Sequence, residues 1–484
     1  MIIKKDKEII KSYFEDNSGI LNGDADEVYI PENMKECTRI ITELYKKNIP
    51  ITFSGSGTGM TGGRIPFKGA VLSSERLNKI TLEQNKEKVL LKVEAGATLE
   101  DIKSACSKSG VFFPVNPTEE TATIGASTSN NSSGSWTYKY GSFRNNILEI
   151  DFVTRNGVTL KITKNSHRFS GDSIFLKELS DKPLVRPMYT MPMVKNAAGY
   201  YSKKDMSLLD LIIGSEGTLG FISSITLKVL PMPKKVIECI VFFAFEKDAI
   251  QFVNKTRALR NTQNTLDPRA LEFFNVNALK FLSEHHSSIP DNAKAGVVFE
   301  HELNDLSKED EILESLLKLA EDCHAFLDNI WMADTPKRLE ELRLFRHSLP
   351  SIVNEKFKRK EFYKLSTDSA VPDECLSDIL DYYNYEIKKS GLTSIIFGHI
   401  GNNHFHVNLL AKKNEQEKAK DLYKKFMEKA VSLGGTISAE HGIGKLKKKY
   451  LPILYGQKGL NEMKRVKLYF DPKNLFNSGN LLDL

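Results

Sequence analysis

One segment narrows the folds open to this chain more than any other: Ser54-Gly-Ser-Gly-Thr-Gly-Met-Thr-Gly-Gly63. It follows Ile49–Phe53, a β-branched run that reads as a strand. Stacked glycines let backbone N–H groups approach a phosphate closely, and Ser54, Ser56, Thr58 and Thr61 add hydroxyl donors. Gly57, Gly59 and Gly62 satisfy GxGxxG, but the dinucleotide fold also needs a helix opening at the loop. Here the chain continues Arg64-Ile-Pro-Phe-Lys-Gly69, where Pro66 and Gly69 disfavour a helix, and no Lys-Ser/Thr pair ends a P-loop. The segment reads as a phosphate cradle without the Rossmann helix, with a plain flexible turn as the alternative.

At 484 residues the chain should hold two or three domains. No internal repeat is visible. Up to about residue 233 it is rich in Gly, Ser, Thr and Asn, with further strand-like runs at Ala70–Ser73, Val89–Val93, Leu148–Thr154 and Ser224–Leu230. Leu230-Pro-Met-Pro233 reads as a linker. Beyond it lie charged segments with helical spacing: Lys308–Glu321, with Ile312, Leu313, Leu316 and Leu317 on one face, Asp373–Lys389 and Glu415–Leu433. Strand-like Lys234–Ala244 and Ser394–Ile400 alternate with them. The expectation is a mixed domain over 1–233 and an α+β domain over 234–484, with the C-terminal segment packing back on the first.

Composition excludes several classes. Hydrophobic residues at 40% and charged residues at 27% are ordinary globular usage, not that of a disordered chain. The net charge of +6, from 68 basic and 62 acidic residues without a dense block, argues against nucleic-acid binding. Cys37, Cys106, Cys239, Cys323 and Cys375 stand apart with no CxxC pair. That excludes a disulfide framework, a zinc ribbon and a chain-borne iron–sulfur cluster, and suits a reducing cytoplasm. Met1-Ile-Ile-Lys-Lys-Asp-Lys-Glu lacks the apolar run of a signal peptide, and no stretch approaches the roughly 18 apolar residues of a membrane span. A soluble, cytoplasmic protein is expected, with peripheral contact at the inner face of the membrane left open.

Three more segments bear on ligand binding. Pro117-Thr-Glu-Glu-Thr-Ala-Thr-Ile-Gly-Ala-Ser-Thr-Ser-Asn-Asn-Ser-Ser-Gly134 reads as too polar for a core and too long for a turn: a ligand loop or a disordered one. Lys195-Asn-Ala-Ala-Gly-Tyr200 and Ile213-Gly-Ser-Glu-Gly-Thr-Leu-Gly-Phe-Ile222 follow, the latter a glycine-punctuated loop entering a strand.

Four of the ten histidines fall between 399 and 441. In Gly398-His-Ile-Gly-Asn-Asn-His-Phe-His-Val-Asn-Leu409, period-two spacing puts His404, His406 and Asn408 on one face and Phe405, Val407 and Leu409 on the other. Ser438-Ala-Glu-His-Gly-Ile-Gly444 adds Glu440 and His441. Two histidines and a carboxylate make an open metal site, and a neighbouring unligated histidine can take a proton. Hydrogen-bonded structural histidines are the bland alternative.

These segments together resemble the flavoproteins of the vanillyl-alcohol-oxidase type, in particular the D-lactate dehydrogenase, glycolate oxidase and D-2-hydroxyglutarate dehydrogenase branch. The resemblance covers nearly the whole chain. It implies an α+β fold: a two-subdomain FAD-binding domain of the PCMH type, then a cap or substrate domain whose C-terminal segment returns to the first. Ser54, Gly55, Ser56, Gly57, Thr58, Gly59, Met60 and Thr61 would hold the FAD pyrophosphate. Pro117, Thr123, Gly125, Asn130 and Gly134 would line the flavin side, and Glu216, Gly217, Gly220 and Ile222 the adenine and ribose side. The glycine loop has no histidine, so FAD is expected to be non-covalent.

The branch also shows GHxGDGNxHxN followed by an EHG segment. On that resemblance His399, His406 and Glu440 bind a divalent metal, zinc foremost and iron or manganese as alternatives, and His441 is the base. The chain departs from the pattern at Asn402, Asn403 and His404, which leaves His404 open as a fourth ligand or a substrate contact. Leu344-Phe-Arg-His-Ser348 resembles the substrate-arginine segment, making Arg346 the carboxylate grip; Lys364 is a weaker match. Lys445-Leu-Lys-Lys-Lys449 reads as a solvated face, with steering of anionic substrates or docking of an acidic partner as alternatives.

The resemblance thus implies oxidation of a D-2-hydroxy acid to a 2-oxo acid, with hydride passing to flavin. Electrons would leave to a separate acceptor: a quinone, an electron-transfer flavoprotein, a cytochrome or an iron–sulfur protein. The rivals are a same-fold enzyme without net redox, like alkyl-dihydroxyacetone-phosphate synthase, against which SAEHGIG counts; a flavin-binding subunit of a larger complex; and an oxygen-using oxidase. Sequence leaves the hydroxy acid, the acceptor, the metal and the oligomeric state open.

Overall fold

A computed structural model describes residues 1–84, 89–262, 266–286, 288–333, 335–358 and 362–484; the side chains of residues 84, 261, 262, 336, 354, 356–358 and 364 are also left undescribed. The strand before the glycine loop, Ile51–Ser54, lies at one side of a four-stranded sheet ordered Ile2–Lys4, Glu27–Ile30, Ala70–Ser73, Ile51–Ser54. The last three run parallel. The loop leaves the carboxyl end of its strand, where ligands of parallel sheets bind. The next helix is Leu99–Lys108, so none opens at the loop, as the Pro66 and Gly69 pattern predicts.

A five-stranded antiparallel sheet stands beside it, ordered Ile80–Gln84, Val89–Glu94, Phe221–Lys228, Ile147–Val153, Thr159–Thr163. The loop Gly214–Gly220 feeds straight into its central strand. The third and largest sheet has eight strands. Its path is Trp331–Met332, Lys235–Phe243, Ala295–Leu303, Ala270–Asn275, Thr393–His399, His404–Ala411, Tyr363–Ser366, and Ser369–Ala370 also pairs with His404–Ala411. Across its middle, His399 stands in register with His404 and its Nδ1 lies 2.7 Å from Glu272 Oε1. Phe274, Phe397 and His406 form the next row. The turn joining two of these strands ends on Asn403 at φ 48°, a left-handed conformation that asparagine tolerates where the related pattern has glycine. Arg257 holds it by donating to its Oδ1 at 2.5 Å.

The helices Glu309–Glu321, Leu376–Ser390 and Gln416–Ser432 match the periodic segments, but the first buries Ile312, Leu316, Leu319 and Ala320 and leaves Leu317, expected on the apolar face, exposed. The C-terminal segment returns to the first sheet. Ile51 N–H donates to the Leu475 carbonyl at 2.7 Å, Asn477 N–H to the Ile51 carbonyl at 2.9 Å, and Phe476 packs against Tyr45 and Phe53. That pairing covers what would otherwise be an open sheet edge.

Three readings are corrected. Leu230-Pro231 is no free linker but pairs with Val111–Phe112. The polar stretch 117–134 is not structureless: Ile124–Ser129 is a helix, Thr128, Asn131, Ser133 and Ser135 are buried, and the Asn131 amide is enclosed because it donates to the Asn196 carbonyl and accepts from Ser142 Oγ and the Arg144 N–H. Lys445–Lys449 is no uniform solvated face, since Lys447 is buried against Asp368 and Lys445 donates to Asn480 and the Gly62 carbonyl. Among the described residues, no helix is long and apolar enough to cross a membrane.

Candidate active site

One cavity of about 460 Å³ runs from the glycine loop to the eight-stranded sheet. All of Ser54–Thr61 lines it, as do Pro117, Gly125, Asn130, Glu216, Gly217, Gly220 and Ile222. At the other end stand Arg346, His399, His406, Glu440 and His441. Thr123 and Gly134 lie behind the wall and shape it instead. A Cβ on Gly55 would sit 2.3 Å from Thr123 Oγ1, and one on Gly134 1.9 Å from the Asn116 carbonyl. Lys364 lies in the strand Tyr363–Ser366, and its side chain falls outside the described residues.

The cavity's first half fits a flavin nucleotide. Gly59 and Gly63 face open space, with nothing nearer than 3.8 and 3.7 Å to an added Cβ, so the backbone is bare toward the cavity. Asp16 Oδ2 and Ser135 Oγ are buried on its wall without a hydrogen-bond partner. Arg64 is spent on the fold: it donates to the carbonyls of Ser12, Glu15 and Gly55.

The second half is organised around Glu440. Its Oε1 accepts from Lys195 Nζ at 2.7 Å and Ser133 Oγ at 3.2 Å. Its Oε2 faces His399 Nε2 at 3.2 Å, His404 Nδ1 at 3.8 Å and His406 Nε2 at 3.9 Å. Burial alone would push the Glu440 carboxyl up, but Lys195, His399 and His404 hold it well below the usual range. Burial likewise opposes a charged His399, yet Glu272 and Glu440 carry it up to about 9. Burial pulls His404 down to about 4 and leaves His406 well below its ordinary value. Two neutral imidazoles beside a carboxylate and a ring that attracts a positive charge form a donor set suited to a cation.

His441 lies beside this cluster, next to His406. Its Nδ1 is 3.4 Å from Asp368 Oδ2, and its ring stacks on His406 at 5.4 Å. Burial lowers its pKa despite Asp368, so the ring is neutral and able to accept a proton.

Arg346 projects from the helix Pro336–Lys358 into the cavity. Its Nη2 donates to His347 Nε2 at 2.9 Å, while Nη1 is buried without a hydrogen-bond partner, 3.7 Å from Glu300 Oε2. A guanidinium on the cavity wall suits an incoming carboxylate.

Sequence reasoning missed the groups that hold these residues in place. Asp368 is fully buried and accepts from Ser438 Oγ, the backbone N–H groups of Glu440 and His441, and Lys447 Nζ, with His404 Nε2 at 3.0 Å. Lys195 and Glu272 orient Glu440 and His399. Glu216 lines the cavity, but both its oxygens accept from the backbone, Ile443 and Gly444 at 2.7 Å each. Their signals were faint: a lone lysine in KNAAGY and a lone aspartate in STDSAV.

Glu216 supports a prediction. Replacing Glu216 with Gln turns one acceptor into a donor that faces a backbone N–H, so Glu216→Gln should destabilise the protein by about 1–3 kcal/mol. Denaturant unfolding checks this; an unchanged midpoint would remove Glu216 as the clamp on the 440–444 loop.

Residues 25–163 match the FAD binding domain, and residues 233–481 match the C-terminal domain of FAD linked oxidases. The chain belongs to the FAD-linked oxidases, of the vanillyl-alcohol-oxidase type, and FAD is its cofactor. It is similar to the D-lactate dehydrogenase of Archaeoglobus fulgidus, 28% identical over 457 residues covering 93% of this chain and 90% of that protein. The glycolate oxidase subunit GlcD of Bacillus subtilis is 27% identical, over 94% of this chain and 88% of its own. Among solved structures, an alkyldihydroxyacetonephosphate synthase superposes with a TM-score of 0.68 at 18% identity, over 98% of this chain and 82% of that one, a likeness of fold.

Proposed function

We propose that this FAD-linked oxidoreductase oxidises a D-2-hydroxy acid to the 2-oxo acid, with a divalent metal and a histidine base. The observation that carries the reading is the single cavity joining the glycine loop to Arg346, His441 and the Glu440 cluster. The similarity to a D-lactate dehydrogenase and a glycolate oxidase subunit supports the same substrate class.

When bound, the flavin supplies the acceptor for the C2 hydride, and a metal held by His399, His406 and Glu440 supplies a Lewis acid that makes the hydroxyl more acidic. Arg346, on the cavity wall, grips the substrate carboxylate with its guanidinium. His441, with Nδ1 turned to Asp368, takes the hydroxyl proton at Nε2. Lys195 holds Glu440 in place by its other oxygen. The electrons leave to a separate acceptor, a quinone, an electron-transfer flavoprotein, a cytochrome or an iron–sulfur protein; the five free cysteines lie in separate elements and four of them are buried.

The substrate's side chain would meet an apolar wall. Arg346, Pro350 and Val353 fall on one helix face, and Phe274 and Phe397 stand beside the histidine row on the sheet below. That wall favours a hydroxy acid with an aliphatic side chain over a dicarboxylic one.

The test is an anaerobic titration of the metal-replete protein with D- and L-2-hydroxy acids, followed by the flavin's visible absorbance. An aliphatic D-acid should bleach the band quickly, a dicarboxylic D-acid more slowly, and chelation should abolish both. A yellow protein that no hydroxy acid bleaches would sink the dehydrogenase reading.

A further inference from the structure

The metal-assisted reading above rests on two histidines and a glutamate, yet the structure brings a third histidine to the same point. We infer that His404 is a fourth protein ligand, making a three-histidine, one-carboxylate centre for a six-coordinate divalent ion.

His404 is fully buried and has no face on the cavity wall, so it is not placed to touch substrate. Neither of its ring nitrogens makes a hydrogen bond; Nε2 lies 3.0 Å from Asp368 Oδ1, and Nδ1 lies 3.8 Å from Glu440 Oε2. An unpaired polar atom in a fully buried side chain is costly, and a ligand is the natural way to satisfy it.

The three rings share one construction. Each has its outer nitrogen beside an oxygen: His399 Nδ1 is 2.7 Å from Glu272, His404 Nε2 3.0 Å from Asp368, and His406 Nδ1 3.3 Å from the Thr367 carbonyl. Such partners fix the ring's orientation and tautomer, leaving the inner nitrogen as the electron-pair donor. The inner nitrogens of all three turn toward Glu440 Oε2, and the four donor atoms lie within 4.8 Å of one another. With metal–ligand bonds of about 2.0–2.2 Å, one ion's ligand shell spans nearly that distance. Glu440 joins through Oε2 alone, because Lys195 and Ser133 occupy Oε1.

A fourth ligand changes which ion suits the site. Four protein ligands complete a tetrahedral shell, which would close zinc to substrate. Holding a substrate hydroxyl and a carboxylate oxygen as well needs six positions, a geometry that manganese and ferrous iron take readily.

The experiment strips the flavin-replete protein with a chelator and reloads it with manganese(II). Pulsed EPR then counts the coordinated imidazole nitrogens. Three are expected in the native protein and two in His404→Asn, whose manganese affinity should fall about 10- to 100-fold with FAD content unchanged. Cobalt(II) loaded with a hydroxy acid present should show the weak d–d bands of six-coordination. Two imidazoles in the native protein would overturn the inference while leaving the two-histidine metal reading intact, and so would intense tetrahedral cobalt bands. A protein in which neither ion reaches the cluster would overturn both readings. The native count stands even if the variant fails to fold.

Discussion

His441→Gln should slow flavin reduction by a D-2-hydroxy acid by about 10²- to 10⁴-fold at saturating substrate, with FAD content unchanged. His441 lines the cavity outside the four-residue donor cluster, with its Nδ1 3.4 Å from Asp368 Oδ2. That contact orients the ring and leaves Nε2 to take a proton, the logic by which an aspartate aligns a catalytic imidazole. Burial keeps the ring below its ordinary pKa, so the neutral form prevails. Glutamine retains a polar side chain of similar reach but cannot act as a base. Stopped-flow reduction under anaerobic conditions measures the step directly, separate from reoxidation. A loss of less than about threefold would remove His441 as the base.

Asp368→Ala should have the largest effect on the folded state, a destabilisation of about 3–5 kcal/mol, because it strands the buried Lys447 ammonium without its carboxylate. The same carboxylate accepts the backbone N–H groups of Glu440 and His441 and the Ser438 hydroxyl, so the loop carrying Glu440 and His441 loses its anchor as well. Burial pushes the Asp368 carboxyl up, but His441, Lys447 and His404 overcome this and hold it well below the usual range. Its folded pKa therefore lies under the unfolded value of about 3.9. The stability it contributes is present above that value and is lost only as pH falls through the folded one. Urea unfolding at neutral pH should show the loss in full. An effect under about 1 kcal/mol would mean that Lys447 and the loop are held by other contacts.

Much of the architecture was legible in residue order. The missing Rossmann helix follows from Pro66 and Gly69, and the strands Ala70–Ser73, Lys235–Phe243 and Thr393–His399 follow from their apolar runs. Period-two spacing placed His404 and His406 on one face. The groups around them were not legible. Lys195 meets Glu440 across 245 positions, and Asp368 meets Lys447 across 79. No local pattern marks either pair.

What sequence alone determined was local: a glycine loop that cannot open a helix, strands whose alternation sets a histidine face, and helices whose stripes demand a core. Spacing decides these because backbone geometry repeats every two or 3.6 residues. The tertiary structure decided which charges are buried and what each one meets. Lys447 belongs to a tract that reads as solvated and is enclosed, and the polar stretch around Thr128 is interior. His404, ambiguous in order, acquires an empty nitrogen pointed at Glu440. Those outcomes come from sheet register and chain return, which bring distant residues within a few ångströms, where burial strengthens every charge interaction.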